Sequence, residues 1–128
     1  MSGSAEQVVR QFLAALKQSD VDELVSFFSD DAVWTDGPRG TYRGVTAIRA
    51  EMESQVQLVP SLVVEVKNLV ATGGTVMVER VDTFETQGKS FGLEVVGVFE
   101  IDGGARIKRL RDYYDLNSLM DRVAAAFA

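Results

Sequence analysis

Four consecutive β-rich runs in the second half of the chain constrain the fold most strongly. They cover residues 61–72, 75–86, 90–101 and 105–115. The segments between them are Gly73-Gly74, Gln87-Gly88-Lys89 and Asp102-Gly103-Gly104. Separators this short and this rich in glycine are typical of hairpin turns, so the pattern predicts an antiparallel meander.

The first half of the chain and its last residues are typical of helices. Ser4 and Gln7 have the spacing of a capping box, and apolar residues then recur at helical intervals. Asp115 is placed as the N-cap of the final helix. Helices are predicted at residues 5–18, 20–28, 45–57 and 116–127. Asp30 and Asp31 are expected to end the second of these, and the stretch AVWTDGPRGTYRG predicts a short strand that runs into a loop.

Helices followed by an antiparallel meander favour an α+β fold in which helices cover one face of the sheet. A bent sheet under such helices can enclose a pocket. The chain of 128 residues fits a single domain, 1–128, and is long enough to bury a hydrophobic core.

The charge balance and the apolar runs narrow the choice of partners. A formal net charge of -6 disfavours nucleic acid, which normally needs a clustered positive surface, and leaves a small molecule as the expected ligand. No apolar run approaches the roughly 20 residues that span a membrane. The start MSGSAEQVVR also lacks a basic region followed by an apolar one. These observations predict a cytoplasmic protein.

The chain contains neither cysteine nor histidine. The lack of cysteine removes thiol nucleophiles and thiolate metal sites. The lack of histidine removes the usual general base near neutral pH and the commonest metal ligand. Proton-transfer chemistry in this chain must therefore be carried by carboxyl groups.

One predicted strand carries two charges in an otherwise apolar row. In VERVDTF, residues 78–84, Arg80 and Asp82 share a strand face with valine and phenylalanine. The short turns place Arg80 opposite Val95, and Val95 opposite Asp112, with an error of about two residues in each register. Arg80, Asp82 and Asp112 would then line the same interior.

Such a charged row survives burial only if its members compensate one another. Two carboxylates around one arginine leave an excess negative charge, so one carboxyl group should tend to hold a proton and form an acid and base couple. Gly97 would leave space nearby. The alternative is that Arg80 and Asp82 lie on the solvent face while Met77 and Val81 face the core.

Three segments together are recognisable. VERVDTF, GKSFGLEVVGVFE and RDYYDL resemble, in order and spacing, the limonene-1,2-epoxide hydrolase family. That family belongs to the superfamily of cone-shaped α+β folds that includes nuclear transport factor 2, ketosteroid isomerase and the SnoaL-like polyketide cyclases. The resemblance implies an NTF2-like fold, in which helices cover the concave face of a strongly curved, mixed or antiparallel sheet. It also suggests a homodimer through the outer sheet face.

The resemblance further implies a cofactor-free and metal-free hydrolase that opens a small, mostly apolar epoxide to a vicinal diol. Asp112 matches the aspartate that acts as base on a water, and Asp82 matches the one that protonates the epoxide oxygen. Arg80 matches the arginine that holds both, and the reaction takes one step without a covalent intermediate. The expected pocket wall consists of Phe84, Leu93 and Val95.

The chain departs from this family at two positions. Trp34 and Asp36 occupy the spacing of a tyrosine and an asparagine that help to hold the water. Either Asp36 shares the role of the base or the water site is rearranged; alternatively, Trp34 is simply core and Asp36 part of an ordinary turn.

Asp36 also matches the proton-shuttling aspartate of ketosteroid isomerase-like proteins. The oxyanion hole of those enzymes would fall near Phe12 and Gly97, which cannot donate a side-chain hydrogen bond. The resemblance therefore favours epoxide hydrolysis. A polyketide cyclase-like proton transfer and a non-catalytic ligand-binding module are the alternatives.

Overall fold

The computed structural model describes residues 4–128, which form four helices and a six-stranded sheet. The helices are α1 (Ala5–Ala15), α2 (Val21–Ser26), α3 (Val45–Leu58) and α4 (Leu116–Ala126). The strands are β1 (Phe28–Asp36), β2 (Gly40–Arg43), β3 (Ser61–Thr72), β4 (Thr75–Thr86), β5 (Lys89–Ile101) and β6 (Ile107–Tyr113).

The predicted helix caps are confirmed. At the start of α1 the Gln7 backbone N–H donates to Ser4 Oγ at 3.2 Å, and the Ser4 backbone N–H donates to Gln7 Oε1 at 2.9 Å. Asp115 Oδ1 accepts from the backbone N–H groups of residues 117 and 118 and so caps α4. α1 ends at Ala15, three residues before the predicted end.

The predicted second helix is too long. It ends at Ser26, and Phe28, Asp30 and Asp31 belong to β1. Phe28 is almost fully buried and pairs with Ile107, a partner far away in the chain. This long-range strand pairing outweighs a helical pattern that is only local.

The segment after Trp34 was predicted as a loop and is instead a β-hairpin. β2 pairs with β1 in antiparallel fashion, with Asp36 opposite Gly40. The turn between them contains Gly37, whose φ of 49° lies in the left-handed region that favours glycine.

The sheet has the strand order β2-β1-β6-β5-β4-β3. β1 and β6 are parallel and the other neighbours are antiparallel, so the sheet is mixed and includes the predicted meander. It is curved and does not close. α1 packs on β3 and β4, α3 on β1 and β2, and α4 on β5. The predicted α+β class is confirmed.

One of the two predicted registers is displaced. Arg80 lies opposite Val95 as predicted, but Asp112 lies opposite Gly97, two residues from the predicted partner. The connection between β5 and β6 is longer than the predicted turn, and a pairing irregularity follows at Ile101. Because the displacement is two residues, each side chain keeps its predicted face.

The hydrophobic core is built around Phe12 of α1. Its ring makes edge-to-face contacts with Phe27, Phe28 and Phe99 at centroid distances of 5.4 to 6.0 Å. On the opposite face of the sheet Met77 is 48% exposed, so the alternative that places Met77 in the core is wrong.

No helix within residues 4–128 is long and apolar enough to cross a membrane.

Candidate active site

Charged side chains are buried beside the apolar core. Arg80 is 6% exposed, Asp82 4% and Asp112 7%. The β4 face that carries Arg80 and Asp82 therefore points inward, and Asp112 joins it from β6 across the middle strand β5. The sheet thus brings together three residues that lie up to 32 positions apart in the chain.

Arg80 holds both aspartates through three different nitrogens. Its Nε donates to Asp82 Oδ1 at 2.8 Å and its Nη2 to Asp82 Oδ2 at 3.2 Å, a bidentate pair. Its Nη1 donates to Asp112 Oδ1 at 3.0 Å. The guanidinium therefore fixes the two carboxyl groups relative to each other.

Trp34 contributes directly to this cluster. Its indole Nε1 donates to Asp112 Oδ2 at 3.2 Å, and its ring packs against Tyr42 at a centroid distance of 5.3 Å. Each oxygen of Asp112 thus has one donor from the protein. A carboxylate oxygen can accept a second hydrogen bond, which leaves Asp112 able to bind a water.

Asp36 is a further buried carboxyl group, next to Asp112. The two aspartates are register partners in the parallel pair of β1 and β6. Asp36 Oδ1 accepts from the Tyr114 hydroxyl at 3.1 Å, and Oδ2 accepts from Gln55 Nε2 at 3.0 Å. Arg39 Nη1 lies 3.6 Å from Oδ2.

Tyr114, Gln55 and Arg39 were not predicted from the sequence. The sequence did contain a signal for Tyr114. Residues two apart on a strand point to the same face, so Tyr114 is expected to point inward like Asp112. Gln55 lies three residues after Met52 on α3, on the side that meets the sheet, but helical spacing does not show which distant carboxylate it meets. No pattern in the sequence indicated Arg39.

The charged cluster opens onto a cavity of about 170 Å³. Trp34, Asp36, Arg80, Asp82 and Asp112 all line it, and so do the predicted wall residues. The rest of its wall is largely apolar and comes from helices and strands around it. These wall residues include Phe12, Met52, Val56, Leu62, Phe84, Leu93, Val95 and Leu119.

Burial and neighbouring charges shift several pKa values in the cluster. Burial raises the pKa of the Asp82 carboxyl above its ordinary value, although the adjacent Arg80 acts in the opposite direction. Burial and the charge of Asp112 raise the pKa of Asp36. For Arg80, burial alone would lower the pKa, but the carboxylates of Asp112 and Asp82 raise it overall and keep the guanidinium charged.

The arrangement suits acid and base chemistry on a small molecule. Burial favours the protonated form of Asp82, and each oxygen of Asp112 keeps an acceptor position beside its one protein donor. Among residues 4–128 no group of three His, Cys, Asp or Glu side chains is arranged to hold a metal ion.

Gly97 makes room for the cluster. A Cβ atom there would lie 2.5 Å from Arg80 Nη1 and 3.0 Å from Asp112 Oδ1. We expect Gly97→Ala to separate these two groups and to lower any activity of the site by about tenfold or more, as expected for the loss of a charge-assisted hydrogen bond.

Gly92→Ala is the matched control, because a Cβ at this position of the same strand would meet its nearest atom at an ordinary 3.5 Å. Activity and thermal unfolding of both variants would be measured. Equal activity of the two alanine variants would contradict the role assigned to Gly97.

A curved mixed sheet with helices on one face and a charged cluster inside its cavity defines an NTF2-like α+β protein. The sequence profile of the SnoaL-like domain matches residues 9–110, and the chain belongs to this family.

Relatives include epoxide hydrolases, as the resemblance of the three segments predicted. The epoxide hydrolase EphG of Mycobacterium tuberculosis is 33% identical in an alignment of 112 residues, and the match covers 84% of this chain and 71% of that protein. The structure of an LEH-like epoxide hydrolase from M. tuberculosis matches with a TM-score of 0.83 and 28% identity, over 96% of this chain and 91% of that one.

A second similar structure shows only the shared fold, because its sequence is 20% identical. It is SalBIII, described as an epoxide hydrolase/cyclase-like enzyme with a role in pyran ring formation in the polyether salinomycin. It matches 88% of this chain and 92% of its own with a TM-score of 0.78. The two mycobacterial relatives support an epoxide-hydrolase-like function for this family member.

Proposed function

We propose that this protein is an epoxide hydrolase that opens a small, mostly apolar epoxide to a vicinal diol in one step. The observation that carries the proposal is the ion-paired series Asp82, Arg80 and Asp112 at the wall of an apolar cavity. The epoxide hydrolases among the relatives support the same reaction class.

In the proposed reaction Asp112 is the base and Asp82 the acid. Asp112 takes a proton from a water while the water oxygen forms a bond to one epoxide carbon. The bond between that carbon and the ring oxygen breaks, and Asp82 gives its proton to this oxygen. The electron pair of the broken bond stays on the oxygen, so the product is a neutral diol.

Trp34 and Asp36 have secondary roles in this proposal. The Trp34 N–H orients Asp112 so that its remaining acceptor positions face the water. Asp36 is adjacent to Asp112 and offers a second carboxyl group to the water. Trp34 thus acts through Asp112. Asp36 lies where the limonene-1,2-epoxide hydrolase family has an asparagine, and its carboxyl group, unlike the neutral amide of asparagine, can exchange a proton.

Cavity size and lining support a compact substrate. An apolar cavity of about 150 Å³ in another protein is large enough for benzene. The cavity here is about 170 Å³ and mostly apolar outside the charged cluster. We therefore expect epoxides with a small hydrocarbon body, which contacts Phe84, Leu93 and Val95.

The proposal is tested by supplying a panel of small apolar epoxides and measuring diol formation. A single turnover in ¹⁸O-labelled water, with protein in excess, is expected to place the label in the diol. An unlabelled first-turnover diol, with label in an aspartate, would contradict the one-step mechanism. No diol from any epoxide of the panel would contradict the proposed function.

The second candidate is a proton-transfer enzyme in which Asp36 has the role that an aspartate has in polyketide cyclases or ketosteroid isomerase. Three observations on Asp36 favour it: the residue is buried, it lines the cavity, and burial raises the pKa of its carboxyl group. An intramolecular ether without ¹⁸O in the product would identify a cyclisation. A non-catalytic ligand-binding module would be favoured by an Arg80 side chain that points into solvent, but Arg80 is buried.

The homodimer and the cytoplasmic location stay predictions. On the sheet face away from the helices, the paired residues Val70 and Met77 are exposed, as are the paired residues Val96 and Tyr113. An apolar surface of this kind supports association of two copies. A monomeric mass by analytical ultracentrifugation would contradict the dimer.

A further inference from the structure

We propose that Tyr114 and Gln55 are positioning residues that hold Asp36 in the site in both its ionised and its protonated form. Asp36 can then exchange a proton beside Asp112 without leaving its place. The inference rests on the proposed function, because the exchange serves the removal of a proton from water. It assigns a role to two residues that neither the sequence patterns nor the relatives single out.

Tyr114 has two acceptors within reach, and both belong to Asp36. Its hydroxyl oxygen lies 3.1 Å from Asp36 Oδ1 and 3.4 Å from the Asp36 backbone oxygen. When Asp36 is ionised, the hydroxyl donates to Oδ1. When Oδ1 carries a proton, the hydroxyl can rotate to donate to the backbone oxygen and accept the proton of Oδ1, since a phenol both donates and accepts.

Gln55 holds the other oxygen of Asp36. Its Nε2 donates to Asp36 Oδ2 at 3.0 Å and to Glu51 Oε2 at 2.8 Å. Two carboxylates around one amide nitrogen favour this orientation of the amide over the flipped one, because an amide oxygen would repel both. Oδ2 therefore stays fixed while Oδ1 gains or loses a proton.

The backbone near Asp36 is shaped to admit the Tyr114 ring. Gly37 has a positive φ of 49°, and a Cβ atom at this position would overlap the ring of Tyr114. The turn after β1 and the residue after β6 are thus fitted to each other. This independent feature of the backbone supports a specific location for the Tyr114 hydroxyl.

The surroundings of Asp36 leave its protonation sensitive to these hydrogen bonds. Burial and Asp112 raise its pKa, while Arg39, Gln55 and Tyr114 lower it. Arg39 is a weak counterion, because its side chain is 43% exposed and 3.6 Å away. The other charged or titratable groups around Asp36 are Tyr42 on β2, Glu51 on α3, and Arg80 and Asp82 on β4.

Tyr114→Phe tests the inference, and Tyr113→Phe is its matched control. Tyr113 is the preceding residue but lies 56% exposed on the outer face of the sheet. The protein would be labelled with ¹³C in the aspartate carboxyl groups, and the Asp36 signal assigned by its loss in Asp36→Asn. We expect the Asp36 titration midpoint to rise in Tyr114→Phe, because the hydrogen bond lost by the carboxylate is charge-assisted and stronger than the one lost by the protonated acid. The midpoint is expected to stay unchanged in Tyr113→Phe.

If Tyr114→Phe does not fold, Gln55→Leu replaces it, and the same upward displacement of the midpoint is expected. An unchanged midpoint in the folded variant would overturn the inference. This readout requires no substrate. A displaced midpoint together with no diol from any epoxide would therefore support the positioning of Asp36 while contradicting the proposed hydrolysis.

Kinetics separate a positioning role from a structural one. For an epoxide that is hydrolysed, Tyr114→Phe is expected to lower kcat/KM by about tenfold. The pH profile of kcat/KM is expected to move to higher pH, as the Asp36 titration midpoint does. In a protein that already carries Asp36→Asn, Tyr114→Phe is expected to lower kcat/KM little further, because Tyr114 acts through Asp36. An equal loss in both backgrounds would overturn the inference.

Discussion

Asp112→Asn is expected to lower kcat/KM for diol formation by roughly 10²- to 10⁴-fold, the range that a general base contributes. Asparagine has nearly the shape of aspartate but cannot take a proton from water. Its amide also fits the site poorly, because Arg80 Nη1 and Trp34 Nε1 both donate at this position. One donor would then face the amide nitrogen, at a cost of about 1–3 kcal/mol in stability.

This prediction is checked by steady-state kinetics at a temperature at which thermal unfolding shows the variant to be folded. Asp121→Asn is the control, because Asp121 lies exposed on α4, away from the cavity. The control is expected to keep full activity. An Asp112→Asn enzyme as active as the Asp121→Asn enzyme would rule out Asp112 as the base.

Arg80→Met is expected to have the largest effect on stability, a loss of about 3–5 kcal/mol at neutral pH. Without this guanidinium the buried carboxyl groups of Asp82 and Asp112 lose their cation, and Asp36 lies beside them. Their charges then repel one another in a site that excludes most water. Diol formation is expected to be lost together with stability.

The stability of this variant should recover as the pH falls. Burial already raises the folded-state pKa values of Asp82 and Asp36 above their ordinary value of 3.8, and removal of Arg80 raises that of Asp82 further. The folded state then binds more protons than the unfolded state, so stability decreases as the pH rises from about 3.8 through the raised pKa values. Below that window, the loss relative to the parent protein is expected to be smaller.

Chemical denaturation at several pH values measures this effect, with Arg111→Met as the control. Arg111 pairs with Glu100 at 2.6 Å on the outer face, where both side chains are partly exposed. Such a pair contributes about 0–1 kcal/mol, so the control is expected to change stability little. Two results would contradict the role of Arg80 as counterion of the buried carboxyl groups. One is a loss of unfolding free energy in Arg80→Met no larger than in Arg111→Met, and the other is a loss that does not become smaller at acidic pH.

Much of the candidate site could be predicted because strand geometry is periodic. The alternation of residues along β4 placed Arg80 and Asp82 on one face, and short turns related that face to Asp112 on β6. A register error of two residues did no harm, since it preserves the face of every side chain. The predicted neighbour of Asp112 was nevertheless wrong, because Asp112 lies opposite Gly97 and not opposite Val95.

The errors share a physical cause. β1 begins at Phe28 because it pairs with β6, almost 80 residues later, and no local pattern near Phe28 reveals that partner. The hairpin of β1 and β2 was missed for a similar reason. Its turn residues are compatible with a loop, and pairing in the sheet selects the extended form.

Composition and periodicity were sufficient to predict the fold class, the helix caps and the meander. These features follow from local geometry and from the residue types present. Only the folded sheet decided that Trp34 donates to Asp112, and that Tyr114 and Gln55 enclose Asp36. Such contacts depend on strand order and on the packing of α3 against the sheet, which bring together residues that have no periodic relation along the chain.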